Sequence, residues 1–358
     1  MSFLRINKLL RHITTQRSVD KFPLLANDIE IMEESDTKRT IFVLNNSISK
    51  SILLSDSGEE YNFLSRAMTV YGIHEFPILS RLTSTLPIFL DSESHFITRK
   101  KYNELITRYS PVSTQLFQDK LKCLFRDFEC KDYVDVTYWA SLLSSAAIEA
   151  LFKPIIPSDL DFCFEPTELD LVDFFNPFPT KAALKNTENM LQKYDSLINL
   201  GSSSEGILCM SMLTMGYMPL KALFASLLND FIGNGFKLSG LTAYNVLPTN
   251  FVIRQLSSDF DLNFTSLKMK EHSFSFRTGD IVYVFLADGG GCPFNVKTSM
   301  PWGFGKHACP GKRISEKFLK LLSYELQLQF KTNPTWARKQ FNYATIASNK
   351  STAFLLYD

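Results

Sequence analysis

The spacing of hydrophobic and polar positions divides the chain into strand-like and helical segments. Residues 39–55 contain two short apolar runs separated by an Asn-Asn pair, which predicts two strands around a turn. Over residues 110–153 apolar side chains recur every three or four positions, which predicts helix. Residues 191–231 carry the longest helical pattern, interrupted at Gly201. Because its second part, 207–231, is apolar nearly all round, we expect a helix buried in the middle of the fold.

The remaining segments complete a mainly helical prediction with a minor sheet. Prolines and acidic residues over 154–179 predict a loop-rich segment. Three strand-like segments and a final amphipathic helix follow, at 251–254, 274–276, 280–286 and 314–330. No repeat or low-complexity tract marks a boundary, so the pattern predicts a single domain over residues 1–358. The expected fold class is mainly α with a small β-sheet region.

Composition and charge narrow the classes of function. Of the 358 residues 45% are hydrophobic and 31 are Phe, which fits a large interior for an apolar ligand and fits an ordinary core equally well. The net charge of +1 provides no global field that would attract nucleic acid or an anionic membrane. The N-terminal segment lacks the apolar core of a signal peptide, and no stretch approaches the roughly 20 apolar residues of a spanning helix. We therefore expect a cytoplasmic protein without a membrane span.

One stretch has the residue types that a metal-bound thiolate requires: residues 301–315 read Pro-Trp-Gly-Phe-Gly-Lys-His-Ala-Cys-Pro-Gly-Lys-Arg-Ile-Ser. Gly305 permits a tight turn that brings backbone amides toward the sulfur of Cys309. Gly311 allows a flat ligand to approach the backbone closely. An amphipathic helix follows at once, and its positive end favours a thiolate at the cysteine. His307, two residues before the cysteine, can donate a hydrogen bond to an anionic group such as a heme propionate.

A cysteine in such a stretch has two other possible roles, a free thiol and a zinc ligand. A single cysteine in a Gly-rich turn is commonly a buried free thiol. Five positions with defined roles at fixed spacing, followed by a helix, make that the weaker interpretation. A zinc site would need more ligands near His307 and Cys309, where no CxxC or HxxxH pair occurs and only Cys292 could add a thiolate. The spacing therefore favours a heme thiolate.

The same residues resemble the signature of the cytochrome P-450 superfamily, which is an aromatic residue followed by Gly, Arg or His, the ligand Cys, and Gly. The sequence has Trp302, Gly305, His307, Cys309 and Gly311 in register, with Trp302 where Phe is usual. The resemblance implies a short, bacterial-type P-450 fold and a heme b whose iron is ligated by the thiolate of Cys309. In this family the thiolate donates electron density that favours cleavage of the O–O bond.

Other segments agree with the resemblance in their order along the chain. Residues 90–100 resemble a bacterial family pattern and place His95 and Arg99 one helical turn apart. The segment that ends at Arg254 resembles the family's turn and strand before a hairpin strand, which residues 278–287 resemble. An ion pair with a protein carboxylate is the alternative for a buried Arg at this place. The propionate-binding residues implied by the resemblance are His95, Arg99, Arg254 and His307.

The sequence lacks the buried Glu-x-x-Arg pair of the family. Counting back from Pro248 puts Leu241 and Tyr244 at the two positions of the motif. Taking Arg254 as the Arg of the motif puts Phe251 at the Glu position. The Glu is missing in either register, so we expect other contacts to hold the scaffold.

The central helix lacks the acid–alcohol pair that delivers protons to bound dioxygen in oxygen-activating members of the family. The matching stretch keeps Gly216 but has Met218 and Pro219 at the pair. Pro219 removes an amide and is expected to kink the helix. Peroxygenases of the family also have proline at this place, after an Arg that is absent here. Thr214 and Tyr217, or the substrate itself, are the hypothetical proton path.

The resemblance implies an enzyme and leaves three functions open. The first is a heme-thiolate monooxygenase that oxidises a small organic molecule of the secondary-metabolite type. The second is a P-450-fold heme enzyme without the usual dioxygen activation, such as a peroxygenase, isomerase or dehydratase, which Met218 and Pro219 favour. The third is a non-catalytic heme protein. The family as a whole favours the first.

Basic residues around the cysteine suggest a partner. They are either a solvated helix face or a docking surface for an acidic ferredoxin or flavodoxin that delivers electrons. These residues are Lys306, Lys312, Arg313, Lys317 and Lys320. The chain is also shorter than is usual in the family between Arg99 and Gly216, so we expect an abbreviated lid over the substrate.

Overall fold

The computed structural model describes most of the chain between residues 29 and 355. The described residues are 29–34, 39–43, 45–55, 58–90, 92–128, 133–156, 179–198, 204–233, 251–265, 271–286, 302–305, 308–332, 339–344 and 350–355. The chain divides into two compact units. The first unit comprises residues 1–62, 87–96 and 247–309, and the second comprises 63–86, 97–246 and 310–358. A single domain over the whole chain stays a prediction.

Strands occur in both units. They are β1 (Ile29–Glu34), β2 (Arg39–Val43), β3 (Gly58–Glu60), β4 (Tyr133–Asp135), β5 (Phe251–Leu256), β6 (Phe260–Thr265), β7 (Glu271–Phe276), β8 (Ile281–Phe285), β9 (Lys339–Ala344) and β10 (Lys350–Leu355). In the first unit a five-stranded sheet has the order β1-β2-β8-β5-β3, and β6 pairs with β7 as a hairpin. Only β2 and β8 pair in parallel in the five-stranded sheet. In the second unit β4, β10 and β9 form a separate antiparallel sheet.

Helices make up most of the second unit. The helices of the described chain are α1 (Asn46–Leu54), α2 (Phe63–Tyr71), α3 (Pro77–Thr83), α4 (Ser92–Phe128), α5 (Val136–Phe152), α6 (Lys181–Ile198), α7 (Ser204–Ser211), α8 (Tyr217–Gly233) and α9 (Lys312–Thr332). A π-helical turn, Met212–Gly216, connects α7 to α8. Short 3₁₀ turns occur at Ile73–Glu75 and Pro87–Phe89. Mainly helical structure with small sheets confirms the predicted fold class.

The core of the first unit forms around β2, an inner strand of the five-stranded sheet. All five residues of β2 are buried, as expected of a strand that is covered on both faces. Buried apolar residues from β2, α1, β5, β7, β8 and the segment after β8 pack together. They are Ile41, Val43, Ile48, Ile52, Leu53, Leu256, Phe276, Val282, Val284 and Leu286. Phe304 packs against this cluster, so the core also supports the segment that precedes Cys309.

The prediction of two strands over residues 39–55 is wrong in its second half, where the structure has helix α1. Asn45 is the N-cap, and its side-chain oxygen accepts hydrogen bonds from the N–H groups of Ser47 at 2.9 Å and Ile48 at 3.4 Å. Asn is among the strongest N-cap residues, so the Asn-Asn pair starts a helix instead of turning a hairpin. The apolar residues after it then bury one helical face.

The predicted helix over residues 110–153 is two helices in the structure. Helix α4 runs through Pro111 and ends at Phe128, and β4 intervenes before α5 begins. The Asp135 carboxylate caps α5 by accepting from the N–H groups of Thr137 at 2.7 Å and Tyr138 at 3.0 Å. Asp has high N-cap propensity, which accounts for a new helix starting at this point.

The second unit is held by packing between long helices. Helix α5 lies along α8, and most of its apolar and small residues are buried. Phe117 of α4 joins two more helices, with its ring centroid 5.9 Å from that of Phe224 on α8 and 4.4 Å from that of Phe318 on α9. Aromatic contacts at such distances contribute beyond the burial of their area. The core of this unit therefore includes the helix that follows Cys309 in the chain.

The apolar segment Glu205–Ile232 is long enough and apolar enough to cross a membrane, which differs from the prediction made from the sequence. Slightly more than half of its apolar window, 56%, is buried inside the protein. Burial of this kind is also found in a central helix of a protein core, which is the role predicted for residues 207–231.

Candidate functional site

Cys309 lies at the end of a loop that closes on itself through backbone hydrogen bonds. The Cys309 N–H donates to the Trp302 carbonyl oxygen at 2.6 Å, and the Ala308 N–H donates to the Gly305 carbonyl oxygen at 3.2 Å. The side chain of Cys309 is exposed. The loop thus holds an accessible cysteine on a backbone that is closed by hydrogen bonds.

Two glycines with positive φ allow this loop to turn. Gly303 has a φ of 71° and Gly305 a φ of 59°, values that residues with a Cβ rarely adopt. A Cβ at Gly305 would lie only 3.3 Å from Cδ2 of Leu54, at the end of α1. The structure therefore has a tight turn at the position where the sequence predicts one. The cofactor-binding role of Gly305 stays a prediction.

Trp302 has a buried polar group for which the described residues provide no acceptor, and it is the residue of the cysteine loop with this property. Its side chain lies in the core with 8% of the residue exposed. Among the described residues no atom accepts a hydrogen bond from its indole N–H. An indole nitrogen can only donate, and a buried unsatisfied donor costs about 1–3 kcal/mol. The sequence shows the aromatic residue, but only the structure shows its unsatisfied donor.

His95 is buried, with one ring nitrogen already engaged. Its Nδ1 lies 2.8 Å from the carbonyl oxygen of Pro87 and 3.2 Å from that of Leu90. Carbonyl oxygens only accept, so Nδ1 carries a hydrogen and donates. Binding of a propionate by this ring therefore has to go through Nε2, which donates when the imidazole is protonated. These contacts orient the ring, and the propionate role stays a prediction.

The other three predicted propionate residues have different environments. Arg254 lies on β5 opposite Val282 of β8 and has none of its surface exposed. A guanidinium removed from water in this way requires an anionic or strongly polar partner. Arg99 lies one turn after His95 on α4 and is partly exposed, and His307 lies outside the described residues. The helical spacing of His95 and Arg99 agrees with the sequence prediction.

The chain after Cys309 turns directly into a helix. The Gly311 carbonyl oxygen accepts from the Ser315 N–H at 3.0 Å, which begins the hydrogen-bond pattern of α9. Helix α9 starts at Lys312, as the pattern over residues 314–330 predicted. Its basic residues Arg313, Lys317 and Lys320 are exposed. Lys306 lies outside the described residues.

The central helix is irregular at the position where the sequence departs from the family pattern. The π-helical turn Met212–Gly216 lies directly before α8, and Pro219 is the third residue of α8. Pro219 has no N–H to donate to the carbonyl four residues earlier, so regular α-helical bonding cannot continue through it. Single π turns inside α-helices are frequent at functional sites. The missing N–H of Pro219 accounts for the π-helical turn. The sequence predicted an irregularity here, in the form of a kink.

The two side chains proposed for the proton path are both buried. The Thr214 hydroxyl donates to the Met210 carbonyl oxygen at 2.7 Å, which occupies its hydrogen within the helix. Tyr217 has none of its surface exposed. The backbone carbonyl of Tyr217 accepts from the Ser144 hydroxyl of α5 at 2.7 Å, a contact that the sequence did not indicate. Roles for Thr214, Gly216 and Tyr217 in proton delivery stay predictions.

The predicted site residues divide between the two units. The first unit contains His95, Arg254, Gly305 and Cys309, and the second contains Arg99, Thr214, Gly216, Tyr217 and Gly311. Among the described residues no three His, Cys, Asp or Glu side chains come together in a way that could hold a metal ion. The role of Cys309 as the single protein ligand of a metal stays a prediction.

Two other cysteines in the described chain differ from Cys309. Cys209 is buried in α7, and burial raises the pKa of its thiol to about 12, with the nearby Glu205 carboxylate adding to the effect. A cysteine with such a pKa stays protonated and is a poor ligand. Cys123 is exposed on α4, away from any closed loop of the kind at Cys309.

Comparison with known proteins identifies the fold of the chain. No protein-family model and no curated protein matches the sequence. Solved structures do match over nearly the full chain. Cytochrome P-450BioI, in complex with an acyl carrier protein ligated to hexadec-9Z-enoic acid, has a TM-score of 0.68 at 14% identity, covering 95% of this chain and 97% of that one.

Two further solved structures agree. The cytochrome P-450 PksS of the Bacillus subtilis 168 bacillaene polyketide synthase has a TM-score of 0.63 at 12% identity, covering 95% of this chain and 96% of that one. Cytochrome P-450epoK, bound to epothilone D, has a TM-score of 0.60 at 14% identity, covering 99% of this chain and 96% of that one. The chain therefore has the cytochrome P-450 fold.

Proposed function

We propose that this protein is a heme-thiolate oxidoreductase in which the thiolate of Cys309 ligates the iron of heme b. The observation that supports the proposal is the closed loop from Trp302 to Cys309 in a chain with the P-450 fold. Two positive-φ glycines and backbone hydrogen bonds hold an exposed cysteine there. A rigidly held, accessible thiolate is the type of ligand that heme-thiolate proteins use.

The donors in the first unit fit a group that carries carboxylates. Arg254 is a fully buried cation, and His95 is a buried imidazole with its Nδ1 already hydrogen-bonded. Each can donate a charge-assisted hydrogen bond to a propionate. The buried N–H of Trp302 is not assigned to a propionate, because it belongs to the loop of Cys309, and the described residues provide no acceptor for it. When bound, heme would supply one-electron and oxygen chemistry that no side chain of the protein provides.

A carbon monoxide difference spectrum of the reduced protein tests the ligand. We expect the wild type to show the red-shifted band of a thiolate-ligated heme. Cys309→Ser should lose that band, because a serine hydroxyl does not replace the thiolate. Cys123→Ser is the matched control, since it removes the other exposed cysteine of the described chain and should keep the band. A wild type reconstituted with heme that lacks the thiolate band would contradict the assignment.

The reaction that fits best is monooxygenation of a small organic substrate. Solved structures of the same fold support this class, since one contains an acyl chain on its carrier protein and another contains epothilone D. Both ligands belong to those proteins and indicate the type of molecule rather than its identity. A cytoplasmic location and a short lid over the substrate are parts of the same proposal.

A second candidate is a heme enzyme that bypasses the usual activation of dioxygen. It is favoured by the central helix, where Pro219 follows a π-helical turn and the Thr214 hydroxyl donates to a backbone carbonyl. A buried helix without an acid–alcohol pair provides no evident path for two protons. A non-catalytic heme protein is the third candidate, and only the absence of these motifs speaks for it.

Turnover of a chromogenic probe, a p-nitrophenoxy fatty acid, distinguishes these reactions. Oxidation with dioxygen, NADPH and a surrogate ferredoxin system would support the monooxygenase. Oxidation with hydrogen peroxide alone would support the second candidate. If no product forms with either donor, despite a thiolate-type spectrum, the result would contradict both oxidation reactions and favour the non-catalytic role. The double variant Thr214→Val and Tyr217→Phe tests the proton path, since unchanged coupling of NADPH to product would remove both side chains from it.

We also propose that the exposed basic face of α9 receives an acidic electron donor such as a ferredoxin or flavodoxin. Arg313, Lys317 and Lys320 are exposed on it, although Lys317 also donates to the Ser110 hydroxyl at 2.9 Å. Complementary charges mainly raise the association rate. Arg313→Glu with Lys320→Glu should slow reduction by the donor at low salt. Arg66→Glu on α2 is the control, and equal rates for all variants would contradict the docking surface.

A further inference from the structure

The indole of Trp302 is the starting point, because it is a donor in the loop of the candidate ligand with no acceptor among the residues that the structure describes. Its ring is buried in the core with 8% of the residue exposed, so water does not readily satisfy the N–H. Folded proteins pair nearly all of their buried donors, and each exception calls for an explanation. A group that becomes an acceptor only when the protein is loaded would explain this one.

The backbone fixes Trp302 and Cys309 relative to each other. The Cys309 N–H donates to the Trp302 carbonyl oxygen at 2.6 Å. This hydrogen bond holds the backbones of the two residues next to each other. Between them, Gly303 and Gly305 turn the chain at positive φ. Phe304 anchors the same loop, since it packs on the core of the first unit and lies 5.6 Å below the Lys50 ammonium group.

The acceptor chemistry points to the sulfur of Cys309. A thiol is a weak acceptor, whereas a thiolate carries a negative charge and accepts strongly. A thiol that coordinates a metal ion is deprotonated outright. The sulfur at the far end of this loop therefore changes from a poor acceptor into a good one at the moment when it binds iron.

We infer that the Trp302 indole N–H donates a hydrogen bond to the iron-ligating thiolate of Cys309 and thereby tunes the reduction potential of the heme. The inference rests on the proposed heme-thiolate function. Trp302 is a positioning residue in this scheme, because it acts on the cofactor through the ligand. A hydrogen bond to a metal-bound sulfur withdraws electron density from it, which raises the potential and weakens the iron–sulfur bond.

Two variants remove the donor in different ways. Trp302→Phe removes the N–H and reduces the size of the ring. Replacement of Trp302 by 3-benzothienylalanine exchanges the N–H for sulfur in a ring of nearly the same shape, so the loop keeps its packing even if Trp302→Phe folds poorly. Trp139→Phe is the matched control, because Trp139 is also buried but lies on α5 in the second unit.

The measurements are the ferric–ferrous reduction potential and the iron–sulfur stretching frequency in the resonance Raman spectrum of the heme-loaded protein. We expect both Trp302 variants to shift the potential to more negative values and the stretching frequency to higher values. Trp139→Phe should leave both quantities at their wild-type values. Trp302→His keeps a ring N–H on a smaller side chain. It should therefore change the potential and the stretching frequency less than Trp302→Phe does.

The outcomes separate this inference from the proposed function. A wild type with the thiolate-type carbon monoxide band, together with Trp302 variants at the wild-type potential and frequency, would overturn the inference and leave the heme-thiolate assignment in place. Equal shifts in Trp302→Phe and Trp139→Phe would also overturn it, since they would reflect a general loss of packing. A wild type without the thiolate band would overturn both.

Discussion

Arg39 and Asp280 form a buried ion pair with two contacts, 3.0 Å from Nε to Oδ1 and 2.6 Å from Nη2 to Oδ2. Arg39 is the first residue of β2, and Asp280 directly precedes β8. The Arg39 Nη2 also donates to the Ser275 carbonyl oxygen at 2.8 Å, and the Arg277 N–H donates to Asp280 at 2.8 Å. The pair ties the turn between β7 and β8 to the inner strand β2. It is one of the contacts that hold the first unit in a chain without the Glu-x-x-Arg motif.

Asp280→Asn should strongly destabilise the protein, because it leaves the Arg39 guanidinium buried without its counter-charge. Breaking a buried pair in this way costs about 3–5 kcal/mol. Urea denaturation followed by circular dichroism measures the loss. Asp261→Asn on the exposed side of β6 is the control and should change the free energy of unfolding by less than about 0.5 kcal/mol. Similar losses for the two variants would show that the pair does not hold the turn.

Gly305→Ala should damage the cysteine loop, whereas Gly216→Ala should not damage the fold. At Gly305 φ is 59° and a Cβ would meet Leu54 at 3.3 Å, while at Gly216 the nearest atom is Ile148 Cδ1 at an ordinary 3.5 Å. The left-handed conformation alone costs a residue with a Cβ about 1–2 kcal/mol. We expect Gly305→Ala to lower the stability and the fraction of heme with the thiolate-type band. Unchanged stability and spectrum in Gly305→Ala would contradict this account.

Ser144→Ala should loosen the central helix at the start of α8. The Ser144 hydroxyl donates to the Tyr217 carbonyl oxygen at 2.7 Å from a fully buried position. Loss of one such hydrogen bond costs about 0.5–1.5 kcal/mol. Hydrogen exchange should show faster exchange of backbone amides near Tyr217. Ser141→Ala is the control, because the Ser141 hydroxyl donates only within α5, to the Thr137 carbonyl oxygen at 3.0 Å. Equal protection in both variants would argue against a contact between the helices.

Glu75 should make stability depend on pH in the acid range. Hydrogen bonds from Lys181 and then Lys185 lower the pKa of its carboxyl from 4.5 to about 2. A carboxyl with a lower pKa in the folded state stabilises the protein above its unfolded pKa, and this stabilisation is lost as the pH falls from 4.5 toward 2. The difference in unfolding free energy between wild type and Glu75→Gln should therefore shrink across that window.

The matched control for this titration is Glu93→Gln, an exposed carboxyl on α4. A pH dependence of the same size in Glu93→Gln would show that the effect of Glu75→Gln does not come from the two lysines. Parallel curves for Glu75→Gln and wild type would contradict the proposed role of the two lysines. Added salt should reduce the effect of Glu75, because the lysine side chains are partly exposed.

Local chemistry explains which predictions from the sequence were confirmed. The helix after Cys309 is encoded by apolar spacing over residues 314–330, and the strands over 251–254 and 280–286 by short apolar runs. Residues close together in the chain suffice for such patterns. The P-450 resemblance of the cysteine loop predicted a fold that the solved structures of other P-450 proteins support.

The errors also have local causes. The Asn-Asn pair is equally compatible with a turn and with a helix N-cap, and the choice depends on whether the residues after it bury one helical face. Ile48, Ile52 and Leu53 pack on β2 and β8, so a helix is formed. Similarly, the long apolar pattern over 207–231 did not reveal the π-helical turn, which depends on the amide that Pro219 lacks.

The sequence by itself determined the candidate iron ligand, the glycines that turn its loop and the mainly helical class. It also showed that the central helix has Met218 and Pro219 in place of the acid–alcohol pair of the family. The tertiary structure alone decided the contacts between residues far apart in the chain. Arg39 and Asp280 are 241 positions apart, and Ser144 and Tyr217 are 73 apart. The burial of the Trp302 indole belongs to the same class, because a donor is satisfied or unsatisfied only with respect to its neighbours in space. Hydrogen bonds and burial act over a few ångström, and the distance between two residues in space is set by the whole fold rather than by their separation in the chain.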